Sequence, residues 1–169
     1  MAATANTTNT ANTTNNSLFG ETYFNTTEYI MSKIQECDVS FILNKICHIY
    51  TDNKNSDSLI INYKYFKYFA NPATYEITIQ HIIKVIDDVL RTNASFIIHL
   101  NMKSLNISQL DKHRQFFCNM SVIFKERYPD TLGICYVYDA PFIFSGLYEI
   151  ISLFVDKRTL NKIQIVNKI

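Results

Sequence analysis

The chain has 169 residues, enough for one domain with a tail. Hydrophobic residues make up 47%, which supports a core, and 16 Lys and Arg against 15 Asp and Glu leave a net charge of +1. That balance argues against the basic face a nucleic-acid partner requires, and no window reaches the roughly 18 uncharged apolar residues of a membrane span.

Residues 1–20 form a Thr/Asn-rich tail. Its run MAATANTTNTANTTNNS has no apolar residue larger than Ala after the start, cannot offset chain entropy by burial, and is expected to be disordered. A folded domain is expected over 27–169, with a short helical part at 27–57. Within it, Ile30, Ile34, Phe41, Ile42, Ile46 and Ile49 recur at helical steps from Thr27 to Tyr50, with a break near Asp38. Leu59 to Phe69 reads as a strand, with Tyr63 and Tyr65 alternating on one face. Lys64 and Lys67 interleave with aromatics as a base-stacking surface would, but the near-neutral charge favours a strand with one buried aromatic face. Thr74 is placed to cap a helix running to Arg91, with Ile79, Ile82, Ile83, Ile86, Val89 and Leu90 on its apolar stripe.

Phe96 to Leu100 is predicted to be a strand buried on both faces, as in parallel sheets. Ser104, Asn106 and Ser108 offer caps for a helix reaching Arg127, with Leu110, Phe117, Met120 and Phe124 on one stripe. His113 lies in that helix with no acid or nucleophile nearby in sequence and is expected at the surface. Tyr128-Pro129 ends the helix, because the residue before proline avoids helical geometry. Ile134 to Tyr138 and Ile163 to Val166 are further strands. Strands alternating with helices predict an α/β fold with a mostly parallel sheet.

Phe142 to Val155 contains a single charge, Glu149, among ten apolar side chains. A helix apolar nearly all round must be buried, or must meet an apolar ligand or a lipid surface. Lys157, Arg158 and Lys162 follow it with positive charge suited to anionic headgroups. The same pattern also fits a core crossover helix with a solvated basic turn.

No chemistry-bearing constellation appears elsewhere. Cys47-His48 has no second pair at ligand spacing. Asp87 and Asp88 diverge by about 100° on a helix and read as a solvated edge. The four cysteines form no C-x-x-C pair, and with no signal peptide they are expected to be reduced. There is no G-x-G-x-x-G, phosphate loop or G-x-S-x-G, so the expectation is a non-enzyme with no catalytic residues, no metal and no cofactor.

Three motifs stand in order: Tyr128-Pro129-Asp130-Thr131-Leu132-Gly133, then Tyr138-Asp139-Ala140-Pro141-Phe142-Ile143-Phe144, then Asp156 with Thr159-Leu160-Asn161-Lys162-Ile163. They resemble the series of the CRAL-TRIO lipid-binding domain of the fungal phosphatidylinositol and phosphatidylcholine transfer proteins. The match runs without a gap from Asn101 to Val166 and is divergent upstream. It stops short of the helix and strand with which the family continues, so the domain is read as C-terminally shortened. The resemblance implies a lipid pocket closed by a gate helix, at about 142–155 by composition and about 146–160 by the family's pattern. It implies that Asp130, Thr159 and Lys162 bind a lipid headgroup such as that of phosphatidylinositol. The pocket and gate would be lined by Phe96, Ile98, Phe142, Phe144, Leu147, Ile150, Ile151 and Phe154.

This sequence departs from the family at several positions. Asp130 replaces a Glu, Asn101 replaces an Asp, and Phe96 and Ile98 replace the Ser and Thr that contact a choline phosphate in some members. The partners implied are a phospholipid or other hydrophobic small molecule and a transient membrane surface, with a cytoplasmic, peripherally membrane-associated location. The alternative is an adaptor module of the same fold without a functional lipid cavity, as in divergent relatives that engage small GTPases.

Overall fold

The computed structural model describes residues 38–51 and 57–166. The expected tail over 1–20 and the helical reading of 27–37 lie outside these residues. Asp38 opens the first element. Its carboxylate accepts the Phe41 N–H at 3.1 Å and caps α1 (Val39–Ile46). The helix expected to reach Tyr50 stops at Ile46, and Cys47–Ile49 forms β1. β1 pairs antiparallel with β2 (Ser58–Asn62), and the Tyr50 N–H donates to the Ser58 carbonyl at 2.9 Å. The spacing of Ile42, Ile46 and Ile49 suits a helix, but pairing at the sheet edge supplies this backbone with partners.

β2 also ends earlier than its sequence suggests. The Asn62 side chain accepts the Lys64 N–H at 3.3 Å, and α2 (Tyr63–Phe69) begins there instead of a continuing strand. Tyr63, Phe66 and Phe69 recur every third residue and are all buried, so a helix hides aromatics that alternation had assigned to a strand face. α3 (Tyr75–Leu90) buries Ile79, Ile82, Ile83, Ile86 and Val89 as expected and leaves Leu90 half-buried. Thr74 does not cap it. Its hydroxyl donates to the Phe69 carbonyl at 2.9 Å and accepts from the Asn71 N–H at 3.0 Å, holding the turn between the two helices.

β3 (Phe96–Asn101), α4 (Ile107–Lys112), α5 (Arg114–Arg127), β4 (Leu132–Tyr138), α6 (Phe144–Ser152), α7 (Lys157–Leu160) and β5 (Ile163–Val166) complete the described chain. Asn106 caps α4, accepting the Gln109 N–H at 2.9 Å. The sheet order is β1-β2-β3-β4-β5, and every pair from β2 to β5 is parallel. The register places Leu59 and Ile61, Ile98 and Leu100, Cys135 and Val137, and Ile163 on one face. The helices cover that face. The other face carries a row in which His99 stacks on Tyr136 and Tyr138, with ring centroids 5.5 and 5.8 Å apart. β3 is therefore buried on one face, with Phe96 and Ile98 enclosed and Ile97 and His99 only partly so, not on both as expected.

α3 and α5 are tied at both ends. Asp87 accepts the Tyr128 hydroxyl at 2.8 Å and pairs with Arg127 at 2.7 Å, so it is an anchor and not a free edge. Asp88 turns away to Arg91 at 3.0 Å. At the other end the Tyr75 hydroxyl meets His113 Nδ1 at 2.8 Å.

His113 is fully buried at the joint between α4 and α5, which correct the single helix expected there, and it is not the surface residue anticipated. Its Nε2 lies 3.0 Å from Gln109 Oε1, and Phe66 packs edge-on at 5.0 Å. A neutral ring satisfies both contacts by donating from Nε2 to Gln109 and accepting at Nδ1 from Tyr75. Burial, with Lys112 beside it, holds its pKa down to about 4. The unfolded chain therefore takes up this proton more readily, and stability falls as pH drops from about 6.5 towards 4. Melting followed from pH 7.5 to 4.5 should show an acid loss on the order of 2 kcal/mol. His113→Gln should lower stability at neutral pH and flatten that acid limb.

Candidate functional site

Between the covered sheet face and the helical layer lies an apolar cavity of about 190 Å³. Its floor is Ile61, Ile98, Leu100, Cys135 and Ile163. Phe116, Phe117, Met120 and Phe124 of α5 form one wall, Leu147 and Ile151 of α6 another, and Tyr63 and Phe66 of α2 close the far end. The volume exceeds the roughly 150 Å³ that admits one benzene and is below the roughly 300 Å³ of the smallest drug-sized sites.

A second pocket, of about 210 Å³, adjoins the first; more of its lining is apolar than polar, but charged side chains stand on its wall, and it is the polar pocket in that sense. It lies against the turn before β4 and the start of α7. Phe124, Leu132, Val155 and Thr159 line both spaces, so the two share a wall. The charged groups around the polar pocket are Lys125, Asp130, Asp156 and Arg158, two of each sign. Asp130 sits at φ 59 after Pro129, a left-handed geometry that Asp tolerates better than most residues. Its Oδ1 is 3.1 Å from Arg158 Nη1, with both side chains largely exposed at 67% and 75%. Asp156 caps α7, accepting the Thr159 N–H at 3.0 Å and the Thr159 hydroxyl at 2.8 Å. Those two bonds hold the Asp156 pKa below the usual carboxylate range.

The residues expected to bind a headgroup fall close together but are engaged differently. Asp130 and Thr159 line the polar pocket. Lys162 does not line it. Its Nζ donates to the carbonyl of Leu132, itself a lining residue, at 2.6 Å. Of the residues expected in the pocket and gate, Ile98, Leu147 and Ile151 line the cavity. Phe96, Phe144 and Ile150 are buried beside it, Phe96 within 6.2 Å of the Phe124 ring. Phe154 is half-buried, and Phe142 is 97% exposed before α6 begins. The expected apolar helix over 142–155 is thus a nine-residue helix with one buried stripe, Phe144, Leu147 and Ile150. Gly146 is what lets α6 approach α4, since a Cβ there would stand 3.1 Å from Leu110 Cδ2.

Arg158 and Lys125 had drawn no attention as pocket residues. Arg158 was legible only as part of a basic turn, and nothing in the spacing links it to Asp130, 28 residues earlier. Among the described residues no helix is long and apolar enough to cross a membrane, and no group of His, Cys, Asp and Glu is arranged to hold a metal ion.

The family model of the CRAL/TRIO domain matches residues 43–169. The chain belongs to the CRAL/TRIO domain family. Among curated relatives, this CRAL/TRIO chain is 27% identical over 95 residues to the SEC14 cytosolic factor of Yarrowia lipolytica (strain CLIB 122 / E 150), covering 54% of this chain and 19% of that one. Among solved structures it resembles the crystal structure of Sfh5, with a TM-score of 0.63 at 17% identity, over 73% of this chain and 48% of the other. That likeness supports the α/β fold with its mostly parallel sheet. The CRAL/TRIO chain described here thus spans less than half the length of each.

Because Lys162 Nζ, just before β5, holds the part-buried Leu132 carbonyl at the start of β4, Lys162→Met should destabilise the domain by about 1–3 kcal/mol, the cost of leaving such a group unpaired. Arg158→Met should change stability by no more than about 0.5 kcal/mol, as for an exposed surface pair. Urea midpoints of the two variants check this contrast.

Proposed function

We propose that this chain is a non-enzymatic lipid-binding module that encloses an amphiphile, phosphatidylinositol or a related phospholipid, and moves it between membranes. The observation that carries the reading is a pocket with charged side chains set against an almost wholly apolar cavity, the two sharing the wall of Phe124, Leu132, Val155 and Thr159. Such a site matches a molecule with a polar head and an apolar body. Asp130 would accept headgroup donors, and Thr159 would stand at the junction of head and tail. Membership of the CRAL/TRIO family and similarity to a SEC14 cytosolic factor support the same reading.

The cavity as it stands admits only part of an acyl chain, so loading would displace α6. Exposing Phe144, Leu147 and Ile150 to water would cost about 5–9 kcal/mol at about 1.5–3 kcal/mol each. An apolar lipid surface removes most of that cost, and exposed Phe142 and Leu153 flank the helix where it would meet such a surface. The reading therefore makes opening a membrane event and places the chain transiently at a cytoplasmic membrane surface.

The purified chain should carry extractable phospholipid, identified by mass spectrometry, and should transfer it between vesicles. Leu147→Trp should fill the cavity and abolish loading while costing about 1–3 kcal/mol of stability. A folded chain that neither carries nor transfers any lipid would count against the proposal. The small cavity favours one second reading, an adaptor of the same fold that recognises a protein such as a small GTPase. That reading expects lipid-free chain and a Leu147→Trp variant that binds its partner normally.

A further inference from the structure

We infer that Arg158, and not Lys162, is the residue that selects the phosphate of the ligand, and that it does so by giving up its pair with Asp130. The inference rests on the lipid-binding reading above. Lys162 is engaged with the Leu132 carbonyl at 2.6 Å and is not among the residues that line the pocket. Thr159 donates its hydroxyl hydrogen to Asp156 at 2.8 Å, so it presents lone pairs and not a donor. A phosphate in the polar pocket would meet neither as a donating group. The cations on the pocket wall are Lys125 and Arg158. Only Arg158 is seated against a carboxylate of that wall, 3.1 Å from Asp130, and a guanidinium binds phosphate through two parallel donors.

The pair is mostly exposed, so water and salt screen it and it exchanges at small cost. A phosphate outcompetes it more easily than it would a buried pair. The exchange has a consequence for the rest of the headgroup. Asp156 is occupied by its two bonds from Thr159, whereas Asp130 is left with an uncompensated charge beside the incoming anion. The ligand must return a donor to Asp130. The site therefore takes a phosphodiester whose alcohol carries hydroxyl or ammonium donors, and it discriminates against a phosphodiester with none. Asp130 is the specificity-determining partner of Arg158, and its left-handed turn fixes where that donor must stand.

The test uses the full chain incubated with phosphatidylcholine vesicles carrying a minor fraction of phosphatidylinositol, phosphatidylethanolamine or phosphatidylmethanol. The chain is re-isolated, and its lipid is quantified by mass spectrometry. Wild type should prefer a donor-bearing lipid over phosphatidylmethanol, and the first two arms tell hydroxyl from ammonium. Arg158→Gln should lower uptake of that lipid about tenfold, the loss of one charge-assisted contact. Arg158→Lys should restore part of it, and Lys162→Met should keep most of it once corrected for the folded fraction. Asp130→Asn, which tolerates the same backbone geometry, should erase the preference over phosphatidylmethanol. Uptake indifferent to Arg158, or a preference that survives Asp130→Asn, overturns this inference and leaves the lipid-binding reading standing. A wild-type chain that takes up no lipid overturns both.

Discussion

Four strands that follow one another in sequence and pair in parallel leave their connections little choice. Crossovers between parallel strands are right-handed as a rule, and with the strands in sequential order that rule returns every connection over the same face of the sheet. β2 to β5 impose this three times. The helices α3, α5 and α6 accordingly form one layer, and the opposite face is left to the stacked row of His99, Tyr136 and Tyr138. The cavity is a consequence of this layering. It lies between the covered face and α5 and α6, and reaches Ile46 of α1.

What holds the layer together is polar at its ends and apolar in its middle. Asp87 with Arg127 and Tyr128 fixes one end of α3 against α5, and Tyr75 with His113 fixes the other. Burial, then the bond to Asp87, pushes the Tyr128 hydroxyl up to about 12, so it remains a donor throughout the physiological range. α6 has no equivalent polar tie among the hydrogen bonds of the described residues. It rests on three buried side chains and on the close approach at Gly146. The helix proposed to move is the one held by non-directional contacts.

Much of this was legible in the sequence. β3, β4, β5 and the long helices announce themselves by composition and period, and the three spaced motifs point to the family that the comparison then established. The misreadings share a cause. Tyr63 and Tyr65 alternate as strand residues do, but the decisive cap is one Asn62 oxygen. His113 looked solvent-facing because its partner Tyr75 is 38 residues away. Cys47 to Ile49 continued a helical period, and only pairing with Leu59 to Ile61 makes it a strand. The Arg158–Asp130 pair likewise depends on a fold that brings α7 to the turn before β4. Local patterns found the elements, and long-range contacts decided their ends and the charges of the site.

One feature of β4 gives the site a direction. The strand is bracketed by two left-handed aspartates, Asp130 at φ 59 and Asp139 at φ 49. Its seven residues span about 23 Å at about 3.3 Å each. The first bracket belongs to the polar pocket, and the second leads into α6. The two ends of the strand are therefore chemically unlike, and α6 and α7 must run back along the whole sheet to reach β5. On the proposed lipid-binding reading, a lipid beneath them would inherit that axis, with its charged end at the amino-terminal edge of the strands and its hydrocarbon pointing towards α2. The reversed orientation would set its charge against Tyr63 and Phe66.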